Sequence, residues 1–301
     1  MIEVRGLTKR YGDRKVVNDL TFRVEPGAVT GFLGPNGSGK TTTARVILGL
    51  TEPNTGTATV AGRRYRDLSH PLREIGALID PSGVNPNRTA VEHLRWLAAA
   101  NRLPFRRVEE VLGLVGLDAA AGRNVGGFSL GMRQRLGIAA ALIGDPPVLL
   151  LDEPINGLDP EGICWIRTLA QDLAAEGRTV FVASHLMSEM ALTATELVVV
   201  GQGRLIAAES VAAFTERADS SVRVRSPQLD ELAAALASEG ASLWRDDDAL
   251  EVAGISIEQI GAIALRLGVP LYELSPQRAS LEEAFMRLTA DTCEYMTERA
   301  A

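Results

Sequence analysis

Cysteine is scarce in this 301-residue sequence: Cys164 and Cys293 are the only two. They lie far apart and form neither a CxxC pair nor a metal-ligand spacing, which leaves them as reduced thiols and excludes a disulfide framework. Long apolar runs are missing too. A membrane-spanning helix needs about 20 consecutive apolar residues, and the longest candidates, such as LGIAAALIG, stop at about half that length. Positive charge is in deficit, with a net charge of −7, so nothing in the bulk composition draws the chain to nucleic acid or to an anionic bilayer. The opening MIEVRGLTKRYG has no apolar core ahead of a cleavage site, which points to the cytoplasm. Internal repeats and low-complexity tracts are absent as well. His70 and His93 match no functional pattern.

What is present is the composition of a soluble globular protein, 46% hydrophobic and 23% charged, long enough for about two domains. Residues 1–215 alternate strand and helix signals, the pattern of an α/β domain with parallel strands. Within it AVTGFLG, PVLLLDE and TVFVASH read as buried strands ending at chemically active loops. ELVVVGQGRLIAA reads as a hairpin turned at Gly201, Gln202 and Gly203. A helical subdomain is expected over about 81–144, with a capping box at Thr89 and Glu92 and an apolar face of Val91, Leu94, Leu97 and Ala98. The periodicity lapses near AFTERADSS, and residues 220–290 predict a small α+β domain, with a tail at 291–301. Its order runs VRVR as strand, a helix from Ser226 and Pro227, a hairpin in SLWRDDDALEV, a helix capped by Ser256 and Gln259, and a strand at LYEL. That succession is ferredoxin-like, with one more helix capped by Ser280 and Glu283.

GPNGSGKT, residues 34–41, fits the phosphate-loop (Walker A) pattern after an apolar strand and before a helix. Gly34, Gly37 and Gly39 permit a tight loop whose N–H groups converge on phosphate oxygens. Lys40 reaches the β- and γ-phosphates in this pattern, and the Thr41 hydroxyl ligates Mg²⁺. Downstream, VLLLDE places Asp152 at the exit of a strand too apolar to hold a carboxylate without reason, a position suited to a Mg²⁺ contact, and Glu153 beside it is a candidate general base. Taken alone, the Asp-Glu pair reads better as a helix-capping acid pair; with GPNGSGKT upstream it does not. FSLGMRQR, residues 128–135, is a second helix start with a Ser hydroxyl and free N–H groups, the makings of another anion site.

The ordered set of Tyr11, GPNGSGKTT, FSLGMRQR, VLLLDEP, NGLD and His185 closely resembles the ATP-binding cassette family. The resemblance covers almost the whole first domain. FSLGM, NPNRTAVEHL and the ending SLEEAFMRLT further resemble the ATPase subunits of bacterial drug and peptide-antibiotic exporters. It implies a phosphate-loop ATPase core in which Gly34, Pro35, Asn36, Gly37, Ser38, Gly39, Lys40, Thr41 and Thr42 hold the triphosphate and Tyr11 stacks on adenine. His185 would contact the γ-phosphate and help fix the attacking water. Ser129 and Gly131 would face the γ-phosphate of a second ATPase subunit, identical or paired, and Asp159 would run along the interface between the two. Two ATPs would then be sandwiched between two chains. Separate transmembrane permease subunits would hold the pair at the inner face of the membrane and carry the exported compound.

Two positions depart from the family. Leu130 stands where a second signature Gly is usual, and Asp80, in IGALIDPSG, stands where many relatives carry a Gln that senses Mg²⁺ and partner. A carboxylate ligates Mg²⁺ but is one methylene shorter and adds negative charge near phosphate, so Asp80 is both a metal candidate and a loop cap before Pro81. Asp159 before Pro160 has the same bland alternative, and Tyr11 that of a packed side chain. A soluble ATPase with a regulatory or mechanical role is the competing function. It lacks support here, because there is neither a coiled-coil insertion nor a second cassette, and a nucleotide kinase or GTPase predicts no FSLGM.

Overall fold

The computed structural model describes residues 1–217, 221–277 and 280–289; the expected tail at 291–301 lies outside them. Among the described residues the chain divides into two compact units, the first being Met1–Val211 and the second starting at Ala212.

In the first unit β1 (Ile2–Tyr11) and β2 (Arg14–Val24) form a hairpin, β3 (Val29–Leu33) leads into α1 (Lys40–Ile47), and β4 (Thr55–Val60) returns to pair with β1. A short α2 (Pro71–Glu74) precedes β5 (Ile75–Leu78), followed by α3 (Ala90–Ala100), α4 (Arg106–Leu114) and α5 (Leu130–Leu142). Then come β6 (Val148–Asp152), α6 (Pro160–Ala175), β7 (Thr179–Ser184), α7 (Met187–Thr193), β8 (Glu196–Gly201) and β9 (Arg204–Ser210). The main sheet has the order β5-β6-β7-β3-β8-β9, parallel except for the β8–β9 hairpin. β3, β6 and β7 are buried along their whole length, as expected for strands covered on both faces.

Parallel strands do not account for the whole unit. β2, β1 and β4 form a separate antiparallel sheet, beside the parallel strands that the strand-helix alternation predicts. The two sheets meet through Phe22 of β2, Phe32 of β3 and Phe181 of β7, whose ring centroids lie 5.1 to 5.7 Å apart. Such offset contacts add about 0.5–1.5 kcal/mol per pair beyond their area. The Thr89–Glu92 capping box opens α3, with Leu94 and Ala98 buried. α5 packs closely on β5: a methyl group at Gly137 would come within 2.5 Å of the Leu78 side chain, and one at Gly76 within 1.9 Å of the Ala141 carbonyl oxygen.

After α8 (Val211–Arg217) the second unit runs β10 (Ser221–Arg225), α9 (Leu229–Ser238), β11 (Ser242–Asp246), β12 (Ala249–Ala253), α10 (Ile257–Leu267), β13 (Glu273–Gln277) and α11 (Leu281–Thr289). Its sheet is antiparallel in the order β11-β12-β10-β13. Capping boxes stand at Ser256 with Gln259 and at Ser280 with Glu283. The last strand begins two residues later than LYEL suggests. α10 ends at a left-handed Gly268, the Tyr272 N–H first reaches the Arg225 carbonyl, and the ladder to β10 starts only at Glu273.

Candidate functional site

β3 ends at Leu33 and α1 begins at Lys40, so residues 34–39 turn over the carboxyl end of the sheet, where ligands bind in open α/β folds. Two glycines there are demanded by contact. A methyl at Gly34 would sit 2.4 Å from the Val200 carbonyl oxygen, and one at Gly39 (φ +100°) 2.7 Å from that of Val16. The loop therefore fits against β8 and β2. Pro35, Asn36 and Gly37 are exposed, as is Thr41, while Thr42 is half-buried. Lys40 is buried, only 6% exposed, and its Nζ donates to the carbonyls of Gly34 at 2.6 Å and Pro35 at 3.3 Å. Burial lowers its pKa, opposed by the carboxylates of Glu153 and Asp152. The ammonium is thus held over the loop, next to two acids. Ser38 Oγ is buried and makes no hydrogen bond among the described residues.

β6 and β7 deliver the acids and the histidine beside this loop, being the next strands along from β3. Asp152 closes β6 and is buried. Burial pushes its carboxyl above the usual range and Glu153 adds to the shift, while the Thr41 hydroxyl, Lys40 and Arg45 act the other way. Among the described residues its Oδ1 has no hydrogen-bond partner. An anionic oxygen left unpaired in a buried site costs free energy unless a cation or donor arrives, and Mg²⁺ is such a cation, with hard oxygen preference.

The sign of the shift gives an expected outcome. A carboxyl whose pKa is raised on folding is less favourably ionised in the folded chain, so at neutral pH its charge opposes folding. Asp152→Asn is expected to raise the melting temperature of the nucleotide-free protein by about 2 °C while abolishing Mg²⁺-dependent turnover. Calorimetry and an ATPase assay check it; a lowered melting temperature with turnover intact would contradict the placement.

Glu153 follows with φ +51°, a left-handed conformation costing about 1–2 kcal/mol for a residue bearing Cβ. It is held from both sides. Its N–H donates to Ala183 O at 2.8 Å, and its own carbonyl accepts from Gln134 Nε2 at 3.0 Å. The side chain meets His185, with Nδ1 2.9 Å from Oε2. With Glu153 ionised, Nδ1 carries the proton of that bond. Acid, imidazole and Lys40 loop thus gather at three adjacent strand ends.

The remaining candidates lie elsewhere on the first unit. Tyr11 ends β1, half exposed, with Lys9 Nζ 5.2 Å from its ring centroid; it belongs to the hairpin whose β2 strand touches Gly39. Asp80 is exposed, and its Oδ1 accepts from both the N–H (2.8 Å) and the hydroxyl (2.6 Å) of Ser82. Those bonds, led by the hydroxyl, hold its carboxyl below the usual range. This is loop-cap geometry. Asp159 N-caps α6, its Oδ1 accepting from Gly162 N at 2.8 Å.

Ser129 N-caps α5, and its Oγ accepts from Met132 N at 3.2 Å. Since the hydroxyl is the acceptor there, its proton remains able to donate. Among the described residues Ser129 makes no hydrogen bond to residues 34–42. The signature instead packs on NGLD: a methyl at Gly131 would lie 2.9 Å from the Gly157 carbonyl oxygen. Gln134 and Gly157 lie inside FSLGMRQR and NGLD, but residue type alone gives neither of them a role. Each matters only through a neighbour distant along the chain.

A family model described as ABC transporter matches residues 17–156, and one described as a domain of unknown function matches 220–282. The chain is 32% identical over 297 residues to the uncharacterized ABC transporter ATP-binding protein YhcH of Bacillus subtilis (strain 168), covering 98% of this chain and 97% of that one. It is 42% identical over 209 residues to the bacitracin transport ATP-binding protein BcrA of Bacillus licheniformis, 68% of each chain. Among solved structures it is similar to the dimeric structure of MJ0796, a bacterial ABC transporter cassette, with TM-score 0.64 and 25% identity over 70% of this chain and 98% of that one.

Proposed function

Because the chain belongs to the ABC transporter family, as one of its ATP-binding subunits, we propose a residue-level account of how it drives export of a drug-like or peptide-like compound. It is an ATPase that works through separate transmembrane subunits, and among the described residues no helix is long and apolar enough to cross a membrane. The observation that carries the account is the gathering of Lys40, Asp152, Glu153 and His185 at neighbouring strand ends, apart from the exposed Ser129 helix start. One chain holds a triphosphate at the first and offers the second to another chain's nucleotide.

Residues Gly34 to Thr42 take the phosphates, Lys40 exchanging its two loop carbonyls for phosphate oxygens, and Tyr11 stacks on adenine. Thr41 and Asp152 are the Mg²⁺ ligands that fit; for Asp80, metal contact competes with its Ser82 cap. Bound Mg²⁺ would supply positive charge that neutralises the phosphates. Glu153 accepts the proton of the attacking water, and His185, tethered to it, orients water and γ-phosphate. Across the dimer Ser129 and Gly131 bind the partner's γ-phosphate and Asp159 lines the interface. Each charge-assisted hydrogen bond contributes about 1.5–3 kcal/mol. A few such bonds at two sites shift association by several decades, at about 1.4 kcal/mol per tenfold, so ATP closes the pair and loss of the γ-phosphate releases it.

The bacitracin assignment of BcrA makes a peptide antibiotic a reasonable cargo class. Affinity capture of the full chain from detergent-solubilised membranes is expected to bring down a membrane-spanning protein, and that partner is expected to stimulate ATP turnover. An ATPase that purifies alone and ignores candidate partners favours a soluble regulatory role.

A further inference from the structure

α5 does more than present Ser129. Its second turn carries Gln134, a polar side chain only 1% exposed, whose Nε2 donates to the backbone carbonyl of Glu153. That carbonyl also accepts from Asn156 N at 3.3 Å, so the peptide after the strained Glu153 is fixed partly by α5 and partly by its own loop. At the other end of the loop the fit is steric. A methyl at Gly157 (φ +77°) would fall 2.2 Å from Leu130 Cδ2 and 2.4 Å from its Cγ, and one at Gly131 would meet the Gly157 carbonyl. The first two turns of α5 therefore hold residues 153–157 at both ends. Leu130, which departs from the family's Gly, fills the space that Gly157 leaves.

We infer that Gln134 is a positioning residue for Glu153, and that α5 thereby ties the helix start facing the partner's nucleotide to the base acting on the chain's own. The inference rests on the roles given above to Glu153 and Ser129. A helix is stiff over two turns, so a displacement of its N-terminus on engaging phosphate moves Gln134 with it. The carbonyl of Glu153 follows, and with it the carboxylate. Small misplacements of a catalytic group cost rate steeply. Leu130 and Gly157 supply the packing that keeps helix and loop in register.

The test is Gln134→Met, which preserves volume and removes the donor. kcat is expected to fall by about 10- to 100-fold, with KM for ATP, nucleotide affinity and melting temperature unchanged. In a Glu153→Gln background the same change is expected to add no further loss, because groups that act as a unit are non-additive. An unchanged kcat, or a loss that persists in full in the Glu153→Gln background, overturns the inference. Should Glu153→Gln itself leave turnover intact, the base assignment fails instead, and the two failures are told apart. For the packing end, Leu130→Ala, which opens the space facing Gly157 without altering the backbone there, is expected to lower kcat with KM for ATP unchanged. An unchanged kcat overturns the role of Leu130.

Discussion

Glu153→Gln is expected to slow ATP turnover by about 10²–10⁴-fold, the usual contribution of a general base, while ATP still binds with its normal affinity. The substitution changes little except proton acceptance. Gln is isosteric with Glu, and its Oε1 still accepts from His185 Nδ1, now 2.9 Å from the carboxylate. The two backbone bonds that fix residue 153, to Ala183 and from Gln134, do not involve the side chain. The left-handed φ of +51° is therefore retained, and a folding defect is not expected to mimic the catalytic one. Steady-state ATPase measurements beside nucleotide titration decide the matter, and turnover at the native rate would remove Glu153 as the base.

Lys40→Ala is expected to weaken ATP binding by roughly 10- to 100-fold, the equivalent of one charge-assisted hydrogen bond at about 1.5–3 kcal/mol. Without nucleotide, Lys40 Nζ is bound to the carbonyls of Gly34 and Pro35, so its ammonium is already aimed into the loop it would share with phosphate. Burial works against its charge, while Glu153 and Asp152 favour it. A triphosphate adds more negative charge beside the same nitrogen. Removing the side chain also leaves the two acids facing the phosphates without a counter-charge, which acts in the same direction. Calorimetric titration returning the native affinity would contradict the phosphate-loop assignment.

Much of this architecture is legible in the sequence because it is locally encoded. GPNGSGKT, the apolar run before Asp152, and the hairpin around Gly201 to Gly203 each specify their structure within about ten residues, and the capping boxes at Thr89, Ser256 and Ser280 do the same for helix starts. The antiparallel sheet of β1, β2 and β4 is not local. β4 pairs with β1 across some fifty residues, and no periodicity within either strand names the other. The start of β13 likewise depends on a bond from Tyr272 to Arg225, which the apolar character of LYEL does not encode.

The candidate site divides in the same way. Lys40, Asp152, Glu153 and His185 stand out by residue type at strand ends. Asp80 and Asp159 carry the right chemistry too, but each also completes a local cap, at Ser82 and Gly162, so type alone leaves two readings standing. Gln134 and Gly157 fall within FSLGMRQR and NGLD, but their contacts are silent in sequence. A buried Gln in an apolar helix and a Gly in a turn are ordinary until the carbonyl of Glu153 and the side chain of Leu130 are seen against them.

Light scattering on the Glu153→Gln variant, with and without saturating ATP and Mg²⁺, tests the central claim most directly. If the Ser129 helix start closes over another chain's γ-phosphate, the variant runs as a single chain without nucleotide, doubles in mass with ATP, and returns to one chain when ADP replaces it. A mass of one chain under saturating ATP and Mg²⁺ would contradict the claim.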